Sequence, residues 1–332
     1  MTAVGVTEDP ARLDRTDAAG HVAAAAEAFR NWGRWGDDDR LGTLNLIDDA
    51  ARAHAASLVR RGASFSLSQP FDMNGPQQGW RRRTNPVHTM LDTGTDAVAV
   101  GQGFPHGLGG ADDVIAMPLQ CSTQWDGLGH IFDRGMAWNG RPADRVVTSE
   151  GDLVTGIEHA VDRIVGRGVL LDVGRHLRPD GELPDGYAIT VDDLEACIRA
   201  QGASATVGRG DIVLVRTGRY TRAKREGWNG YAGGPSAGLS FTTAGWIHRT
   251  EMAAIATDTW GFEVRPNEFD DAFQPLHQVV IPNIGLTVGE MWDLDDLAAD
   301  CAQDGTYEFL LTAAPLRITG AVGSPVTPIA LK

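Results

Sequence analysis

Two short apolar runs constrain the fold of this chain more than any other feature. Gly168–Val169–Leu170–Leu171–Asp172–Val173 and Asp211–Ile212–Val213–Leu214–Val215–Arg216 each read as a buried strand bounded by turn residues. Between them Thr190 stands as a helix N-cap. Val191, Leu194 and Ile198 follow on one apolar face, and Gly202 provides the stop. Strand, capped helix and strand in succession point to an α/β fold built on a mixed sheet or barrel-like core with flanking helices.

The chain has 332 residues, room for one large or two modest domains. No internal repeat or clean linker divides it, so we expect an N-terminal arm over 1–30 and a single catalytic domain over 31–332. A net charge of -15 argues against nucleic acid and against an anionic membrane surface as partners. Cys121, Cys197 and Cys301 are far apart and form no paired motif, which fits a reducing compartment. Residues 1–20 are acidic and lack the apolar centre of a secretory signal. No run approaches the roughly 18 apolar residues that span a membrane. The expectation is a cytoplasmic protein acting on a small molecule.

Further elements follow in order. Residues 1–20 read as a loose arm and Ala23 to Trp32 as a short helix. Residues 31–42 form an ordered loop pinned by Trp32 and Trp35, either a structural lid or a gate. Asp48 caps a helix carrying Ala51, Ala55, Leu58 and Val59, stopped at Gly62. Ser64 to Phe71 alternates as a strand. Residues 72–110 are strand pieces and loops. Their Arg81–Arg82–Arg83 cluster reads as a solvated or subunit-contacting patch rather than an anion site. His88 and His106 lie here as ordinary polar residues, with His88 near enough in type to line a pocket mouth. Leu153 to Ile164 suggests a helix, Thr243 to Met252 another, and Ala253 to Ala256 a strand ending at Asp258. Leu276 to Ile281 reads as an apolar strand headed by His277. Leu286 to Glu290, Tyr307 to Ala313, Leu316 to Ile318 and Ile329 to Leu331 complete the strands.

The chemistry is concentrated in Gln120–Cys121–Ser122–Thr123–Gln124–Trp125–Asp126–Gly127–Leu128–Gly129–His130. It follows the apolar residues Val114, Ile115, Ala116, Met117 and Leu119, which read as a buried strand. Were the strand to run on regularly, Gln120, Ser122, Gln124 and Asp126 would share one face. Asp126 is either a paired or metal-binding carboxylate or a turn aspartate before Gly127. Glu290, set among Leu286, Val288, Met291 and Trp292, needs a buried partner of some kind. Asp258 is either an orienting group or a cap.

The run Gln120-x-Ser122-Thr123-Gln124-x-Asp126-x-x-x-His130 resembles the HxGTHxDxxxH signature of the Putative cyclase family, which includes bacterial kynurenine formamidase and isatin hydrolase. His277 and Glu290 resemble its second metal-binding pair, and Asp211 to Gly218 its strand followed by Thr-Gly. The resemblance runs from about Trp32 to the C-terminus. It implies a swivelling β/β/α fold, a homodimer or homotetramer, and metal-dependent hydrolysis of an amide. By that correspondence the metal would be held by Gln120, Gln124, Asp126, His277 and Glu290, and the catalytic residues would be His130, Asp126 and Glu290. Glutamine stands where the family carries its two signature histidines. An oxygen-rich donor set favours Mn²⁺ over Zn²⁺ or Mg²⁺, and a metal-free site is the alternative. Gln120 and Gln124 are separated by roughly 13 Å along a straight strand, which favours Gln124 over Gln120 as a ligand. The expected activity is hydrolysis of a C–N or C–O acyl bond in a small cyclic or aromatic substrate. The rivals are an acid–base cyclase, dehydratase or isomerase, and a non-catalytic binding protein.

Overall fold

The computed structural model describes residue 13, residues 17–99 and residues 101–332. Its centre is a nine-stranded sheet. In chain order the strands are β1 (Ser64–Ser66), β2 (Gln124–Asp126), β3 (Val165–Asp172), β4 (Ile212–Arg216), β5 (Ala254–Thr257), β6 (Thr287–Glu290), β7 (Glu308–Thr312), β8 (Gly323–Pro325) and β9 (Ile329–Leu331). Their spatial order is β1-β9-β7-β3-β4-β5-β6-β2-β8. The middle four, β3 to β6, run parallel, as expected of strands joined through helices. The outer strands pair antiparallel on both sides. This is the mixed sheet with flanking helices that the apolar runs anticipate.

Period-two alternation divides the core into two layers. Val169, Leu171, Val213, Val215, Ile255 and Val288 pack on one face with helix Val191–Gln201 and helix Pro275–Val279. Leu170, Ile212, Leu214, Ala254, Ala256 and Trp125 pack on the other with Leu297, Phe309 and Leu311. Each fully buried Leu, Ile or Val contributes about 1.5–3 kcal/mol. Helix Val191–Gln201 carries a complete capping box between Thr190 and Asp193.

The Asp48 cap is present, accepting a hydrogen bond from the Ala51 amide, but its helix ends at Ala56, before Leu58 and Val59. Val114 and Ile115 do not lie in the core. They belong to a two-stranded ribbon, Val87–Asp92 against Asp112–Ala116, that is exposed along its whole length. Apolar residues there suggested burial, yet among the described residues the ribbon pairs with no strand of the main sheet. Residues 119–123 are turns and bends, so the regular strand begins at Gln124. Leu153 to Ile164 holds one short 3₁₀ turn, Ile157–Ala160, preceded by an extended Gly156. Leu276 to Ile281 is helical: Pro275–Val279 runs into a wide turn at Val280–Ile284. A short apolar run cannot be assigned to strand or helix by periodicity alone. Leu316 to Ile318 is irregular.

Residues 1–12 and 14–16 of the expected arm lie outside the described residues; from Ala18 the chain is a helix to Ala28 whose Val22, Ala25 and Ala26 join the core. The tryptophan loop is held by side chain to backbone bonds. Trp32 Nε1 donates to Pro282 O at 2.6 Å, and Asn31 Nδ2 to Ile284 O at 3.0 Å.

Candidate metal and acid–base site

Strands β2 and β6 bring the two halves of the chain's chemistry together. Gln124 lies directly opposite Glu290 in their antiparallel register. Asp126, two residues along, projects to the same face. The opposite face is occupied by Trp125 and Trp292, whose rings meet edge to face at 4.8 Å. Gly289 is required between them, because a Cβ there would lie 2.5 Å from Ala256 Cβ and 2.8 Å from the Trp125 ring. After Glu290 the chain turns through Met291 at φ 59°. A non-glycine residue in that region costs about 1 kcal/mol or more. It is pinned by its amide to Thr259 O and by Thr123 Oγ1 to its carbonyl, at 2.8 and 2.6 Å.

Ligand atoms of Asp126, His277 and Glu290 all lie within 4.8 Å of one another, and all three residues are buried. Gln124 Nε2 donates to Asp126 Oδ1 at 3.2 Å and to Glu290 Oε2 at 3.0 Å. His277 Nε2 lies 3.2 Å from Glu290 Oε1. On the other side of the imidazole, Nδ1 lies 2.5 Å from Glu263 Oε1. Glu263 also accepts from the Leu276 and His277 amides, so its carboxylate caps the helix that carries His277. The Phe262 ring meets the imidazole at 4.8 Å and fixes its plane. Burial lowers the His277 pKa, but its bonds to Glu263 and Glu290 outweigh that and hold it at about 10. Burial raises the Asp126 carboxyl, with His130 opposing and Glu290 reinforcing the shift.

His130 follows a tight turn in which Gly129 passes Asp152 closely enough that an added Cβ would meet its carboxylate at 2.1 Å. Its Nε2 lies 3.7 Å from Asp126 Oδ1, too far for a hydrogen bond. Burial lowers its pKa, against the pull of Asp126, so the ring is neutral at pH 7. His130 also walls an open cavity of about 300 Å³ with Arg81, Phe132, Phe273, Gln274 and Gln278.

The donor set suits a divalent cation: two carboxylates, one imidazole and one carboxamide. The imidazole is backed by a carboxylate, the usual way to fix which ring nitrogen faces a metal. Gln124 adds a second observation. Its Oε1 is buried without a hydrogen-bond partner. Turning the amide over would bring that oxygen to the two carboxylates, an arrangement that a cation between them would stabilise.

The remaining expected residues fall elsewhere. Gln120 sits in the turn before β2, and its Nε2 is buried beside Gly323 without a hydrogen bond to Gln124, Asp126 or Glu290. His88 pairs with Asp113 at 2.7 Å on the exposed ribbon, and His106 is exposed. Asp258 accepts from Thr217 N, Thr217 Oγ1 and Gly218 N, each at 2.8 Å, and so holds the loop after β4. The sequence reading missed Glu263. The available signal was an acid within Trp260–Gly261–Phe262–Glu263–Val264, the same pattern that singled out Glu290. It also misplaced Arg83, which is 9% exposed while Arg81 and Arg82 face solvent.

The family model for Putative cyclase matches residues 65–264. A crystal structure of a novel cyclase is 40% identical, covering 91% of this chain and 99% of that chain, with a TM-score of 0.82. Isatin hydrolase A from Ralstonia solanacearum is 16% identical over 85% of this chain and 96% of its own, with a TM-score of 0.60. A predicted metal-dependent hydrolase from Bacillus stearothermophilus is 15% identical over 82% and 98%, with a TM-score of 0.52. No curated protein matches the sequence. The last two likenesses establish the fold, and the family model and the first structure establish the family: this chain belongs to the Putative cyclase family.

Proposed function

We propose that the protein is a metal-dependent hydrolase of a C–N or C–O acyl bond in a small cyclic or aromatic substrate. The observation that carries this reading is the convergence of Asp126, His277 and Glu290 within 4.8 Å, with Glu263 behind the imidazole. Asp126, Glu290 and His277 Nε2 would hold one divalent cation, with the Gln124 oxygen as a further donor. The oxygen-rich set favours Mn²⁺ over Zn²⁺. When bound, the cation would polarise the scissile carbonyl and acidify water.

The chain's own residues supply the rest. His130, neutral and at the boundary between cluster and cavity, accepts a proton from the attacking water at Nε2. The water oxygen bonds to the acyl carbon and the C–N or C–O bond breaks. His130 then returns the proton to the departing nitrogen or oxygen. Phe132 and Phe273 on the cavity wall offer apolar surface to one side of the substrate.

One observation favours a second reading, metal-independent acid–base chemistry. Without an ion, Gln124 Nε2 bridges the two carboxylates and a protonated His277 pairs with Glu290, so both carboxylates have partners, although Gln124 Oε1 has none.

One experiment separates the two. Protein purified without a metal-affinity column is assayed for divalent ions and for turnover of amides, lactones and esters, with and without chelator. The hydrolase reading expects about one ion per chain, its loss in Asp126→Ala, and chelator-sensitive turnover. Metal-free protein whose turnover ignores chelator would leave the second reading standing.

A further inference from the structure

Two guanidinium groups beside the cluster have no role in the chemistry above. Arg83 is 9% exposed, yet among the described residues its side chain makes no hydrogen bond and no ion pair. Its one contact of note is with the Trp260 ring, 5.4 Å from Cζ to the ring centroid. Arg265 is half-buried. Its Nη2 donates to Gly233 O at 3.0 Å, but Nε and Nη1 are shut off from water without partners. Its Cζ lies 5.4, 5.8 and 5.6 Å from the Trp80, Trp260 and Phe273 rings.

Buried arginines are rare unless paired, because an unanswered charge away from water is costly. Contact with aromatic rings returns part of that cost and leaves the N–H donors unanswered. The backbone itself is bent to produce this situation. Arg81 and Arg82 both take positive φ, 51° and 62°, and the chain emerges with Arg83 turned inward. Among the described residues the Arg83 side chain has no acceptor, and Arg265 has one, Gly233 O, with two donors left over.

Both groups lie beside the candidate site. Both contact the Trp260 ring, and the next residue, Gly261, runs so close to the cluster that an added Cβ would lie 3.9 Å from Glu290 Oε1. Phe273, stacked near Arg265 and Trp80, also walls the cavity that His130 lines. In a chain of net charge -15, two unpaired cations at such a place form a local exception.

We propose that Arg83 and Arg265, framed by Trp80, Trp260 and Phe273, form a receptor for a carboxylate borne on a planar ring. A guanidinium fork matches a carboxylate in shape and charge, and the indole faces match a flat ring. The inference rests on the hydrolase reading and narrows its substrate class. Two sources share this chemistry. The carboxylate is carried by the substrate before cleavage, or it is the one that cleavage creates: water adds to the acyl carbon, the C–N or C–O bond breaks, and the acid formed ionises.

The test is calorimetric titration with benzoate and with benzamide, its neutral isostere, on protein supplied with Mn²⁺ and on chelator-treated protein. Benzoate is expected to bind both forms, and benzamide at least about tenfold more weakly. Arg83→Met and Arg265→Met should each weaken benzoate by at least about tenfold. Arg83→Met should also melt no lower than the parent, since it removes an unpaired buried charge. Equal binding of benzoate and benzamide, undiminished benzoate binding by Arg83→Met, or a lowered melting temperature for that variant would overturn the proposal. Binding of 4-acetamidobenzoate against acetanilide separates the sources. Preference for the acid means a substrate-borne carboxylate; no preference, with benzoate still favoured over benzamide, means the product's. Failure to find a bound metal defeats the hydrolase reading but leaves benzoate binding to the chelated protein as an independent result. Benzoate failing to bind a metal-loaded protein defeats the receptor alone.

Discussion

Glu263 Oε1 lies 2.5 Å from His277 Nδ1, and the same carboxylate caps the helix on which His277 sits. One side chain thus sets the position of the helix, the rotation of the ring and the nitrogen that faces Asp126 and Glu290. Glu263→Gln keeps a hydrogen-bonding group of the same size and removes the charge. The expected result is a cation affinity reduced about 10- to 100-fold with the fold retained, measured by competition against a chromophoric chelator. Unchanged affinity would mean that the capping role alone explains Glu263.

Gln124 Nε2 is the donor that Asp126 and Glu290 share. Gln124→Leu leaves two buried carboxylates without it. In chelated protein the variant should lose about 1–3 kcal/mol of stability, seen in urea unfolding. Added Mn²⁺ should restore part of the loss, because a cation answers both carboxylates directly. A loss that is the same with and without Mn²⁺ would place the cation elsewhere.

How far the sequence was legible follows from which signals are local. The capped helix Val191–Gln201 and strands β3 and β4 were readable because cap, periodicity and stop all lie within the element. Glu290 was readable because a carboxylate among apolar residues needs a partner; Asp126 stayed open between that and a turn aspartate, because its place facing Glu290's strand across β2 and β6 is tertiary. The ribbon at Asp112–Ala116 was misread because exposed and buried apolar residues look alike until the neighbouring strand is known. His277 was assigned to a strand because it leads into the short apolar run Val279 to Ile281; the helix is decided by Pro275 and by the Glu263 cap. Arg83 carries no local mark separating it from Arg81 and Arg82. What distinguishes it is the backbone turn that precedes it.

Asp211 immediately precedes β4, with its carboxylate 2.5 Å from Arg167. Burial pushes its pKa up to about 6 despite that pairing, partly because Arg167 is shared with Glu308. The folded pKa is therefore above the unfolded value near 3.8. The folded state holds the proton more tightly, so this group favours folding most below pH 3.8. That contribution is lost as pH rises to about 6. At about 1.36 kcal/mol per pKa unit, the change is on the order of 3 kcal/mol. Asp211→Asn cannot titrate. Between pH 4 and pH 7 its stability should rise relative to the parent by up to about that amount, measured by urea unfolding at each pH. A constant difference across the range would show that Arg167 fully compensates the burial.

His130 Nε2 is 3.7 Å from Asp126 Oδ1 and faces the cavity as well as the cluster. It is the one group of the set that reaches both without bonding Glu290, so a proton-transfer role and a ligand role make different predictions. As a proton carrier, His130→Gln should lower turnover by about 10²- to 10⁴-fold while leaving metal content unchanged. The pH profile gives the second readout. Burial lowers the His130 pKa below 6.5, so the acid limb of kcat/KM in the parent should fall below that pH. Lowering the pH through that limb protonates the ring and removes the base. In His130→Gln the limb should disappear along with most of the rate. A variant that loses its metal, or one that keeps the acid limb at a reduced rate, would assign the titrating base to another residue.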